Sequence, residues 1–139
     1  YVIPFGQART VREGRDVTIV AIGRMVGFAS KAADALAQAG IECTIIDPRT
    51  TSPLDEKAIL ASVEQTGRLV VVDEASPRCG MAADISSIVA EYAFSALKAP
   101  IKRVMPPHSP VPFAPNLEQA YIPSVADIEI AVQAVMRKH

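Results

Sequence analysis

Along this chain, short unbroken apolar runs alternate with longer stretches in which apolar residues return every third or fourth position. Three runs, Val17 to Ile22, Ile41 to Ile46 and Leu69 to Val72, are rich in Val and Ile. A strand half-open to water alternates apolar and polar residues, whereas one covered on both faces stays apolar, so these runs read as buried parallel strands. Ile101 to Val104 is a weaker fourth run, and Ala8 to Arg12 reads as an edge strand. Helical spacing fills the gaps. From Val26 to Ala39, residues Val26, Ala29, Ala33, Leu36 and Ala37 share a face, and Gly40 is placed to stop the helix. In the next stretch Ser52 is the expected cap, with Pro53 in the first turn and Asp55 and Glu56 facing the positive end of the dipole. Ile59, Leu60 and Val63 are its inward stripe, and Gly67 its end.

A third helix is expected from Met81 to Leu97, with Ile85, Ile88, Val89 and Tyr92 inward and Pro100 as its stop. A fourth runs from Ser124 to Arg137, where Ser124 and Asp127 have capping-box spacing and Ile128, Ala131, Val132 and Val135 face the core. Alternating strands and helices imply crossover connections, hence an α/β fold with a parallel sheet and helices on both faces. Neither a repeat nor an internal boundary is visible, so residues 1–139 read as one domain. The chain starts at Tyr1, and residues 1–7 read as the end of a linker in a longer polypeptide. Met105 to Pro123 breaks the rhythm, holding six of the eleven prolines. Proline fixes φ and removes a donor, so an extended, stiff connection is expected there. It also carries Val111, Phe113 and Tyr121, which are too apolar for a free linker.

Composition narrows the functions. With 139 residues, half of them hydrophobic and 21% charged, the chain can bury a sizeable core. A net charge of −1 without a basic run argues against nucleic acid as a partner. No apolar run is long enough to span a membrane, and a cytoplasmic location is expected. Two histidines and two cysteines at these spacings form no zinc motif. Cys43 lies in a strand and reads as a small buried hydrophobe. Cys79 lies in a turn near a helix start, where a lowered thiol pKa would make it a nucleophile; a base would have to come from elsewhere. His108 reads as a surface residue or one presented to a partner subunit, and His139 as terminal.

The strand–loop–helix stretch RLVVVDEASPRCGMAADI is where chemistry is most expected. Asp73 and Glu74 leave the strand pointing in different directions, so they do not form an acid–base pair. Their expected roles are a salt bridge to Arg78 or capping near Gly80. A second reading places a nucleotide or small ligand at the carboxyl ends of the strands near Gly23, Asp47 and Asp73. Against a dinucleotide, the first turn reads GRMVGF and lacks the G-x-G-x-x-G glycines.

Taken together, IDPRTTSPLDEKAI, GRLVVVDEASPRCG, APIKRV, PPHSPVPF and LEQAYIPS resemble the C-terminal domain of the β subunit of thiamine-diphosphate-dependent 2-oxo acid dehydrogenases, of the transketolase C-terminal-domain type. Lys98 and His108 stand where pyruvate and branched-chain members often carry acidic residues, so the acetoin dehydrogenase branch is favoured. The resemblance implies a three-layer α/β/α domain with a five-stranded, mostly parallel sheet and one antiparallel edge strand. It implies an oxidoreductase whose thiamine diphosphate and Mg²⁺ bind elsewhere in the parent enzyme, because no G-D-G motif occurs here. The parent would cleave its substrate and pass the acyl or acetyl unit to a lipoyl group. This domain, with no catalytic residue and inactive alone, would serve assembly with a second β subunit, the α subunit and the acyltransferase. The interface residues expected are Asp73, Glu74, Arg78, Cys79, Lys98, His108, Phe113 and Tyr121.

Overall fold

Every residue of the run Val17–Ala21 is buried, as a strand covered on both faces requires. The computed structural model describes residues 2–137; Tyr1 and His139 lie outside them. Strands β1 (Arg9–Arg12), β2 (Val17–Ala21), β3 (Cys43–Asp47), β4 (Leu69–Val72) and β5 (Lys102–Val104) form one sheet in the order β1-β3-β2-β4-β5. β1 is antiparallel to β3, and every other pair is parallel. Helices are α1 (Met25–Gln38), α2 (Glu56–Thr66), α3 (Met81–Tyr92), α4 (Pro115–Tyr121) and α5 (Val125–Met136).

Two apolar layers sandwich the sheet. On one face Ile19, Ala21, Ile45 and Val70 pack with Ala29 and Leu36 of α1 and Ile128 and Val132 of α5. On the other, Val20, Ile46 and Val71 pack with Ile59 and Val63 of α2 and Ile85 and Val89 of α3. Each fully buried Ile, Leu or Val contributes roughly 1.5–3 kcal/mol. Buried Thr18 is accommodated because its hydroxyl shares hydrogen bonds with Ser62 Oγ at 2.7 Å and Thr66 Oγ1 at 2.8 Å.

Three local expectations change. The cap of α2 is Asp55 rather than Ser52: its carboxylate accepts from Ala58 N–H, and its other oxygen accepts from Ala8 N–H at 2.8 Å. Asp55 therefore starts the helix and fastens the chain entering β1. Helix α3 stops at Tyr92, before a 3₁₀ turn at Phe94–Ala96. Its buried stripe runs Ala82, Ile85, Val89, Ala93, which leaves Tyr92 facing solvent instead of inward. The proline-rich segment contains α4, with Pro115 at its first helical position where the missing N–H costs nothing. The capping box at Ser124 and Asp127 forms as its spacing implies. No helix among the described residues is long and apolar enough to cross a membrane.

Candidate functional site

Because β2 to β5 run parallel, their carboxyl ends line one rim of the sheet, and β1 starts there, with Arg9 paired to Asp47 in register. From β2 the chain crosses by α1 to β3 on one side and then by α2 to β4 on the other. The gap between β2 and β4 is therefore the topological switch point, where open α/β sheets bind ligands. Here an ion pair bridges it: Arg24 Nε donates to Glu74 Oε2 at 2.5 Å. The first amides of α1 are already engaged, with Met25, Val26 and Gly27 N–H donating to Ile22, Gly23 and Arg24 carbonyls at 3.2 Å. Few donors remain for a pyrophosphate at this junction.

Glu74 thus pairs with Arg24, not with Arg78, which is exposed and has no ion-pair partner among the described residues. The two partners lie 50 residues apart, beyond the reach of local pattern. Asp73 turns inward. Its carboxylate accepts from Ala75 N–H at 3.3 Å, and no side chain caps α3 at Gly80, so neither expected role holds. Burial pushes the Asp73 pKa up, against the pull of the Ala75 and Glu74 amides.

From Asp73 the loop to Gly80 is clamped onto the segment after β5. Ser76 Oγ shares a hydrogen bond with His108 Nδ1 at 3.2 Å, and Ser76 Oγ also accepts from Arg78 N–H. Arg103 Nη1, on β5, donates to the Pro77 carbonyl at 2.8 Å. Neither Ser76 nor Arg103 was singled out in the sequence, because each acts through a partner at least 26 residues away. Tyr121 is buried and its hydroxyl donates to the Ser109 carbonyl at 3.2 Å, which ties α4 to the proline-rich arm. Phe113, on that arm, is 100% exposed, with Val111 and Leu117 also exposed. The structure thus places Asp73, Glu74, Arg78, Cys79, His108, Phe113 and Tyr121 on the carboxyl rim or on the segment that follows β5 there.

Lys98 does not join them. Its N–H donates to the Gly67 carbonyl at 2.8 Å, before β4, at the amino ends of the strands. A Cβ on Gly67 would fall 2.8 Å from Lys98 Cδ, so the lysine stem lies directly over that glycine. The two cysteines are both free. Cys43 is buried, which pushes its thiol up to about 11. Cys79 is exposed and holds a left-handed backbone, φ +55°, which costs a non-glycine residue roughly 1–2 kcal/mol.

Comparison with known proteins identifies the domain. The family model "Transketolase, C-terminal domain" matches residues 6–128. The chain belongs to this family. Among relatives of this transketolase C-terminal domain, the acetoin:2,6-dichlorophenolindophenol oxidoreductase subunit beta of Cupriavidus necator is 60% identical over 137 residues, covering 99% of this chain and 40% of the relative. The mitochondrial pyruvate dehydrogenase E1 component subunit beta-1 of Arabidopsis thaliana is 46% identical over 128 residues, covering 92% of this chain and 35% of the relative. The chain thus spans about two fifths or less of these relatives' length. A solved split-gene transketolase, described as an inactive beta4 tetramer, superposes with a TM-score of 0.84 at 28% identity, over 96% of this chain and 42% of that one. The domain is thus more similar to this acetoin-type β subunit than to this pyruvate-type one.

Proposed function

We propose that this transketolase C-terminal domain is an assembly domain in the β subunit of a thiamine-diphosphate-dependent acetoin or 2-oxo acid dehydrogenase. The carboxyl rim between the Asp73–Gly80 loop and the proline-rich arm would meet another subunit: a second β subunit, an α subunit or the acyltransferase. One observation carries this reading. Phe113 exposes its whole side chain on an arm that is otherwise tied down by the Tyr121–Ser109 and Ser76–His108 bonds. An aromatic held out on a stiff support loses little conformational freedom on docking and has much apolar area to bury. Arg78 and His108, both joined to Ser76 on the same rim, would set register and encounter rate more than affinity.

The parent enzyme, on this reading, cleaves its substrate with thiamine diphosphate and Mg²⁺ and passes the acyl or acetyl unit to lipoyl. Among the described residues no three His, Cys, Asp or Glu side chains gather as metal ligands. With the Met25–Gly27 amides already engaged, this supports a reading in which the cofactor is held by other segments of the parent enzyme, and no catalytic step is placed on these residues.

The test is solution mass against concentration by sedimentation, for the protein alone and with its partner chains. Phe113→Ala should weaken assembly by about 2 kcal/mol, roughly 30-fold, as a hot-spot aromatic does. Monomer melting should shift little, as for exposed positions generally. Assembly at unchanged affinity would end the proposal.

A further inference from the structure

Beyond the Arg24–Glu74 pair the same rim has a second half, toward β3 and β1. A cleft of about 560 Å³ opens there, lined by Ile3, Phe5, Arg9, Ile22, Asp47 and Arg49. Small-molecule sites occupy roughly 300–1,000 Å³. Neither Arg9 nor Arg49 has an ion-pair partner among the described residues. Asp47 commits one carboxylate oxygen to the Arg49 backbone N–H at 2.9 Å. Two guanidiniums against one carboxylate leave the lining net positive, beside apolar walls.

The cleft is built rather than incidental. Arg49 holds a left-handed backbone, φ +61°, in a loop closed by Thr50 N–H to the Pro48 carbonyl at 2.6 Å and Thr50 Oγ1 to the Pro53 carbonyl at 2.8 Å. The same Thr50 hydroxyl accepts from Gly6 N–H at 3.0 Å, and Asp55 accepts from Ala8 N–H at 2.8 Å. Those two bonds fix the strap that delivers Arg9. A Cβ on Gly6 would sit 3.0 Å from Pro53 Cγ, so the strap lies tight against the loop. Guanidiniums offer planar paired donors to carboxylate and phosphate oxygens.

We propose that this cleft binds a small organic anion, its carboxylate or phosphate on Arg9 and Arg49 and a short apolar body against Ile3, Phe5 and Ile22. The site is separate from the assembly surface, and either could fail without the other.

Saturation-transfer NMR on the full-length protein would test it with three probes of one length: hexanoate, hexyl phosphate and hexanol. Hexanoate, hexyl phosphate or both should bind at millimolar concentration or tighter, while hexanol should not; which anion binds distinguishes carboxylate from phosphate recognition. Arg9→Gln and Arg49→Gly should each weaken binding on the order of 10-fold, as loss of a charge-assisted hydrogen bond does. Arg49→Gly also keeps the left-handed backbone. Unchanged melting temperatures would show that both variants fold, and Arg103→Gln, on the other half of the rim, should bind like the wild type. No anion binding at roughly 10 mM, equal binding of hexanol, or affinity unchanged in both Arg9→Gln and Arg49→Gly would overturn the proposal.

Discussion

Ile19 and Phe113 are both large apolar residues, yet one exposes none of its surface and the other all of it. Ile19 sits mid-strand with helices packed on both faces of the sheet, so its burial serves folding. Phe113 sits on an arm fixed by hydrogen bonds at Tyr121 and His108, so its support does not depend on its own burial. The difference teaches that apolar content alone does not define a core. What matters is whether the backbone around a residue is closed by its neighbours or left to a partner.

The sharpest test of that division uses the thiols. Cys79 should react with an aromatic disulfide reagent in the native protein, whereas Cys43 should wait for global opening and react at least ~1,000-fold more slowly. Until then burial, which raises its pKa to about 11, keeps the folded-state thiol protonated and unreactive. Native-state labelling of both thiols at similar rates would break the distinction. Next in size, Ile19→Ala should lower unfolding free energy by roughly 2–5 kcal/mol in urea titrations and leave assembly of the folded fraction unaltered. Phe113→Ala, described above, is its converse. A smaller effect belongs to Ser124→Ala, which breaks the capping box of α5 and should cost about 1 kcal/mol by the same titration.

The smallest expected effect concerns Asp73. Its folded pKa lies above the ordinary carboxylate value of 3.8, so the native state holds the proton more tightly than the unfolded chain. Its contribution to stability therefore grows as pH falls through the raised folded value, is complete below the unfolded one, and is lost above both. Asp73→Asn should be relatively more stable than wild type near neutral pH, and the gap should close on acidification toward 3.8. Thermal melts across that window would show the trend, and a gap that widens on acidification would contradict the sign.

Much of the fold was legible because continuous apolar runs and a 3.6-residue stripe each have one economical burial. Val17 to Ile22 and Leu69 to Val72 became β2 and β4 almost residue for residue. Tyr92 misled because aromatic character suggested burial where the Ala82–Val89 stripe continues instead to Ala93. The helix at Pro115–Tyr121 was hidden by surrounding prolines, although Pro115 itself suits a first helical turn. The rim was legible only in part. Local order places Asp73 and His108 at strand ends, but the pairings Arg24–Glu74, Ser76–His108 and Arg103–Pro77 join segments that only folding brings together. The placement of Lys98 shows the same limit: a position next to a strand does not say which end of the sheet it occupies until strand direction is known.

The twofold use of Asp55 has a consequence for solubility. Its carboxylate both begins α2 and anchors the residue just before β1, the strand that covers the outer side of Cys43–Asp47. Were β1 to come away, the peptide groups of an apolar strand would stand open to any passing chain able to pair with them. One acidic side chain thereby helps to keep that edge covered.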